Sequence, residues 1–395
     1  IFMSTTYSAT TLLCISSRFK GVDFITEAKR LGCSIYLITD IANREKAWPR
    51  ELLSDIYFVD EQSETWNIPN LIKAVSYLAR TTHFDKIIPL DDFDFDKAAA
   101  LREHLRVPGM GESRVRFFRD KLAIRDKAEE DDILVPEYAH VLNYERIKAF
   151  TSMVPAPWVI KPRFKDGSAL YSRATDMNEL WKIILDLGDD QSYYILERFI
   201  PGEIYHVDSI VHNHEICYSG VHHYGRPLME VVQNGGLFTS ATVEVGSSIE
   251  QDLLRLNTKI VQSMGLKYGV MNTEFIKSHQ DGRYYFIKSS GKVGGNYLAE
   301  LVESSTGLNL WREWAKIEMS EVDEIDYTCP EYVKQPAMVI RVPAKNPSAL
   351  SNTMQHAAIV WRQVSHNHVT VVIRCKNHDD LNTVKDEILN SIEAL

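Results

Sequence analysis

The stretch 269–297, GVMNTEFIKSHQDGRYYFIKSSGKVGGNY, decides how the rest of the chain is read. On either side of Asp281-Gly282 apolar and polar residues alternate. This is the pattern of two antiparallel strands joined by a tight turn in which glycine adopts a positive φ. In that hairpin the fourteen-residue separation of Glu274 on the first strand and Lys288 on the second permits the two side chains to share one face. A glycine-rich segment with Lys292, Gly294 and Gly295 follows directly, and a backbone bare of Cβ atoms admits the close approach of a phosphoryl group. The segment therefore reads as the end of a phosphate site. Its anomaly is Lys288, an ammonium in a position where a phosphate site would use a metal-binding carboxylate.

Upstream, TLLCIS (11–16) is an apolar strand, followed by a helical pattern through VDFITEAKRLG and a second strand, SIYLIT. Helix NLIKAVSYLART, strand DKIIPL, the acidic loop DDFDFD and helix KAAALREHLR come next. Alternating strands and helices predict a parallel, Rossmann-like sheet. The loop after the first strand has no GxGxxG, which argues against dinucleotide binding there. Asp91 and Asp92 lie at the carboxyl end of a strand, where they either meet a ligand or cap the helix that follows. VPGMGES (107–113) punctuates the chain, and RVRFFRDKLAIRDKAEEDDILVPEY reads as one helix closed by a loop and a strand. PWVIKPR is a strand ending in a lysine, with FKDGSALYS as a small loop suited to covering phosphate. SYYILERFIPGEIYHVDSIVHNHEICYSGVHHY alternates as an antiparallel sheet does, and IEQDLLRLNTKIVQSMGL is a helix.

Composition bounds the function. With 395 residues, 45% apolar and 25% charged, the chain is long enough for several ordinary cores. A formal charge of −10 disfavours a general nucleic-acid binder, because neutralising phosphates needs a dominant basic face. The five cysteines are dispersed without a CxxC pair, so neither a disulfide framework nor a zinc-cysteine site is expected. There is no apolar run of membrane-spanning length, and the first residues lack the basic start and cleavage pattern of a secretory signal. A cytoplasmic protein with no membrane partner is expected. Ile1 and Phe2, which precede Met3, are left outside the fold argument.

Taken together, a Rossmann-like first part, two lysines, a hinge strand, a hairpin glutamate and a glycine-rich end resemble the ATP-grasp superfamily over roughly residues 10–320. Within it the chain looks most like the carboxylate-amine ligases, amino-acid and dipeptide ligases among them, with biotin-carboxylase-like enzymes more distant. The resemblance implies a mixed α/β and α+β chain. A Rossmann-like domain (1–109) would be followed by the two ATP-grasp subdomains (110–190 and 191–325) and a small α+β subdomain (326–395). It implies ATP as cosubstrate, magnesium as cofactor, and small-molecule carboxylate and amine substrates joined through an acyl-phosphate with release of ADP and phosphate. A homodimer is left open.

Residue by residue, the resemblance makes Lys121 and Lys161 phosphate contacts. It makes Glu197, Arg198, Phe199 and Ile200 the hinge that reads adenine through backbone groups, and Glu203 the ribose carboxylate. Glu274 matches a metal-bridging glutamate, whereas Lys288 stands at the second such position and Ser290 where many members carry asparagine. Lys292 replaces an arginine on the terminal phosphate, while Gly294 and Gly295 keep the glycine turn. An ammonium has no lone pair for magnesium, so fewer ions than usual are implied. Either Lys288 replaces an ion together with its carboxylate, since both sum to one positive charge, or the chain is a nucleotide-binding pseudoenzyme or regulatory subunit. Two further readings come from the residues themselves. Arg226 is either a grip for a substrate carboxylate or a surface arginine. The histidines 212, 214, 222 and 223 are read as lacking an acid partner for a metal.

Overall fold

The computed structural model describes residues 10–60, 66–164, 171–226, 231, 236–322 and 326–393. Most of the loop FKDGSALYS therefore lies outside the described residues. The chain divides into two compact units: 1–116 with 267–270 and 310–329, and 117–266 with 271–309 and 330–395.

The first unit holds four parallel strands, β1 (Thr11–Ser16), β2 (Ser34–Asp40), β3 (Asp55–Val59) and β4 (Lys86–Pro89), in the order β3-β2-β1-β4. β1 and β4 are buried along almost their whole length, as expected of a parallel sheet covered by its crossover helices. Leu13, Ile15, Ile38 and Ile87 pack against Val75 and Leu101 from the helices Ile68–Leu78 and Phe95–Leu105. Each such side chain contributes about 1.5–3 kcal/mol on burial. At the carboxyl end of β4 the Asp91 carboxylate accepts the Asp92 N–H at 2.6 Å and pairs with Lys20 at 2.9 Å, so capping is what the structure shows for Asp91. Its neighbour Asp94 takes the N–H of Ser17 (3.0 Å to Oδ2) and the Ser17 hydroxyl, and ties the loop after β1 to the loop after β4. The helix Leu310–Val322 is counted with this unit, and its Trp314 meets Phe24 edge-on at 5.3 Å.

In the second unit an antiparallel sheet runs β5 (Tyr138–His140), β8 (Tyr194–Arg198), β6 (Trp158–Pro162), β7 (Ser172–Ala174). An eight-stranded sheet is built from β9 (Gly202–His212), β10 (Glu215–Tyr224), β11 (Phe238–Thr242), β12 (Tyr268–Ser278), β13 (Tyr284–Ser290), β14 (Ala337–Pro343), β15 (Ile359–Val364) and β16 (His368–Arg374). Its order is β13-β12-β9-β10-β11-β14-β16-β15. The tail strands do not form a sheet of their own, because β14 pairs antiparallel with β11 and extends the central sheet.

Two local features differ from the sequence expectation. The segment read as one helix before residue 131 is two, Glu112–Arg119 and Lys121–Glu130. Asp120 between them is extended, and its carboxylate accepts the Leu122 N–H at 3.0 Å. Arg163 grips the same carboxylate through two nitrogens, at 2.9 and 2.5 Å. This two-point grip holds the residue as an N-cap, which periodicity alone does not reveal. The hairpin forms as expected around Asp281-Gly282, with Gly282 at φ +69°, but a bulge follows Glu274.

Candidate active site

The predicted site residues all belong to the second unit. On the antiparallel neighbours β6 and β8, Lys161 is paired with Ile195, and Glu197, two residues further along β8, lies diagonally across from it on the same face. Lys161 Nζ lies 2.6 Å from Glu197 Oε2, and Arg125 Nε, from the helix Lys121–Glu130, lies 3.0 Å from Oε1. Arg125 Nη1 also donates to the Ile287 carbonyl at 2.6 Å, fastening that helix to β13. All three side chains are buried. Burial pushes the Lys161 ammonium down from its ordinary value against the pull of Glu197, with Arg125 and Lys288 pushing the same way as burial. Burial also opposes the charge of Glu197, yet Arg125 and Lys161 together hold its carboxyl below the usual range. The Glu197 side chain is thus the anion of a buried triad. In the segment expected to be the hinge, the Arg198 N–H donates to Glu137 O (2.9 Å) and the Phe199 N–H to Pro157 O (3.1 Å). Lys121, first residue of its helix, is buried with Nζ 3.4 Å from Arg163 O.

Glu274 and Lys288 are paired residues of β12 and β13, with Oε1 3.8 Å from Nζ. Asn272 and Ser290 form another pair on the same two strands, and both are buried. Beside them Tyr224, at the end of β10, has its phenol pushed well up by burial, with Glu274 and Asp208 adding to the effect. Lys292 is buried, with Nζ 3.3 Å from Val293 O. The two glycines of the turn differ. A Cβ at Gly294 would lie 2.9 Å from Leu298 Cδ1, 3.0 Å from Asp208 Oδ1 and 3.2 Å from Asn272 Nδ2, whereas one at Gly295 would meet nothing within 4 Å. Gly294 is there so that the turn can rest on Asp208 and Asn272; Gly295 leaves open space.

Glu203 is exposed at the start of β9 and accepts the Tyr205 hydroxyl at 3.1 Å. Arg226 is exposed just past β10, beside residues outside the described set. The structure does not place it against another predicted site residue.

The histidine reading needs correction. His222 does have an acid partner: its Nδ1 is 3.3 Å from Asp208 Oδ2, and His206 Nδ1 is 2.8 Å from the same oxygen. Neither His206 nor Asp208 was identified from the sequence. The available signal was their separation by one residue on β9, which puts both on one face, opposite His222 on β10. Arg125 was missed as well, although it lies one helical turn beyond Lys121.

One carboxylate at Glu274 fits a magnesium ion of the kind held by one or two carboxylates and substrate phosphates. Lys288 opposite it offers no second ligand.

No family model matches the chain. A curated L-arginine-specific L-amino acid ligase from Bacillus subtilis is 21% identical over 269 residues, 65% of this chain and 62% of that protein. The match therefore spans less than two thirds of that relative's length. Among solved structures, an L-amino acid ligase from Bacillus licheniformis aligns over 98% of both chains with a TM-score of 0.74 and 16% identity. A carboxyaminoimidazole ribonucleotide synthase from Aspergillus clavatus, complexed with ATP, aligns over 98% of this chain and 99% of its own, with a TM-score of 0.73 and 11% identity. With its parallel four-stranded sheet and the antiparallel sheets that follow, the chain has the fold of the ATP-grasp carboxylate-amine ligases.

Proposed function

We propose that the chain is an ADP-forming ligase that activates a small carboxylate, an amino acid, as its acyl-phosphate and joins it to an amine. The observation that carries this reading is the Glu274–Lys288 pair, 3.8 Å apart, directly before the turn with Lys292, Gly294 and Gly295. Lys121 and Lys161 neutralise ATP phosphates. The hinge Glu197–Ile200 reads adenine with the backbone groups that remain after Arg198 N and Phe199 N are committed elsewhere. Glu203 accepts the ribose hydroxyls.

Glu274 would hold magnesium, which when bound supplies positive charge to the transferring phosphoryl. Lys288 supplies one more positive charge, equal to the sum of a dication and the carboxylate it replaces. Phosphoryl transfer depends mainly on positioning and charge stabilisation, so such a replacement retains chemistry. Lys292 and the backbone at Gly295 face the transferred group, and Arg226 grips the substrate carboxylate bidentately. The carboxylate oxygen attacks the terminal phosphorus, and the bond to ADP breaks. The amine then attacks the acyl carbon, phosphate leaves with both shared electrons of the acyl–oxygen bond, and the proton lost by the nitrogen passes to the departing phosphate or to solvent. Similarity to the L-amino acid ligases supports amino acids as the substrate class.

The test is ADP release with magnesium across pooled amino acids. Release that depends on particular pairs supports the proposal; no release at any magnesium concentration overturns it. A second reading, a nucleotide-binding pseudoenzyme, draws on the same Lys288, because the ammonium removes a metal ligand.

A further inference from the structure

β9 places His206 and Asp208 on one face, and the antiparallel register sets His222 of β10 directly opposite His206. The two imidazoles stack at 4.7 Å with their planes 19° apart, and each directs Nδ1 at a single oxygen, Asp208 Oδ2. The other carboxylate oxygen is held by Asn272 Nδ2 at 2.9 Å, which fixes the direction in which Oδ2 points. His206 Nε2 lies 2.8 Å from Ser240 Oγ, the outer contact that orients a ligating imidazole. All three side chains are at most 1% exposed. The hydrogen bonding within the cluster is incomplete. His206 Nδ1 is bonded to Oδ2, but His222 Nδ1 approaches the same oxygen at 3.3 Å without hydrogen-bond alignment, so this buried nitrogen has a charge partner and no hydrogen bond. Buried polar atoms rarely remain so.

We propose that His206, Asp208 and His222 bind one zinc-class dication inside the eight-stranded sheet. Their three ligand atoms lie within 4.8 Å of one another, close enough for one ion at about 2.0–2.2 Å from each after small side-chain adjustments. Two imidazoles and one carboxylate suit zinc or cobalt, whereas magnesium prefers oxygen throughout. A small, partly open cavity of about 20 Å³ borders His222, lined also by Tyr218, Thr242, Glu250 and His378, and is large enough for one water. The site is separate from Glu274 in its ligands, so it stands whether or not the ligase reading does. It lies beneath the glycine turn, because Asp208 Oδ1 is the atom that a Cβ on Gly294 would approach.

The probe is cobalt, followed by visible absorption, and zinc, followed by calorimetry, both in excess magnesium. The intact chain is expected to bind one ion of either metal, with a visible band typical of low coordination number. Glu274→Gln should bind it equally. His222→Asn should lose the band and weaken zinc by more than about 100-fold, beyond the loss that follows removal of an outer contact. Ser240→Ala should weaken zinc by about 10–100-fold and keeps the test decisive if His222→Asn fails to fold. No stoichiometric binding by the intact chain overturns the proposal. So does binding unchanged in His222→Asn, which would assign the metal to other histidines, and so does binding unchanged in a folded Ser240→Ala when His222→Asn cannot be obtained.

Discussion

Glu274 and Lys288 oppose each other on adjacent strands with Oε1 3.8 Å from Nζ, so a carboxylate and an ammonium share one face of the hairpin. If Lys288 supplies the missing charge, Lys288→Glu is expected to lower turnover of the native substrates by about 10²-fold, the scale of losing one fixed electrostatic group. Steady-state ADP release across magnesium concentrations checks it. A rise in turnover would instead identify Lys288 as the lesion of a disabled site.

Lys161 is buried and bonded to Glu197, which changes what its removal should do. A lysine reaching only for phosphate would leave the unliganded protein unaffected. Here Lys161→Ala takes one of two cations from a buried carboxylate, so a loss of about 1–3 kcal/mol is expected before any ligand is added. The same variant should also lose the thermal shift given by ATP. That shift corresponds to about 2.7 kcal/mol at a hundredfold excess over Kd in the intact protein. Melting curves with and without ATP separate the two effects.

Gly294 and Gly295 provide an internal control. A methyl group at residue 294 would press on Asp208, Asn272 and Leu298, so Gly294→Ala should destabilise by about 1–3 kcal/mol. One at residue 295 meets open space, so Gly295→Ala should leave stability within about 0.5 kcal/mol while reducing turnover where a phosphoryl group must approach. Denaturant unfolding alongside ADP release tests both. Equal activity of Gly295→Ala and the parent would remove residue 295 from the site.

Asp94 predicts a pH dependence in the first unit. Burial pushes its carboxyl up from 3.8 to about 6, although Lys97 and Ser17 pull the other way. The folded state therefore holds a proton that the unfolded chain has released, and stability falls as pH rises from about 4 to about 6. A shift of this size amounts to about 3 kcal/mol at most. Asp94→Asn should flatten that part of the stability curve. A parent curve with no downward slope relative to the variant across the window would refute the assignment.

Much of the fold was legible because it rests on local pattern. Continuous apolar runs marked β1 and β4, alternation marked β9 and β10, and Asp281-Gly282 marked the hairpin that pairs Glu274 with Lys288. The break at Asp120 was not legible, since it depends on Arg163, distant in sequence. Nor was the placement of the tail strands in the central sheet, because the edge to which a strand adds is a tertiary choice.

By itself the sequence determined the hairpin around Asp281-Gly282 and the glycine-rich segment after it, because both follow from local pattern, while the expectation of a carboxylate at Lys288 came from the family resemblance. Only the tertiary structure decided that Glu197 is the shared anion of Arg125 and Lys161, and that Asp208 holds two histidines beneath Gly294. The physical reason is burial. A charged group taken out of water must find its partner wherever the packing brings one, and those partners come from strands and helices that no periodicity connects.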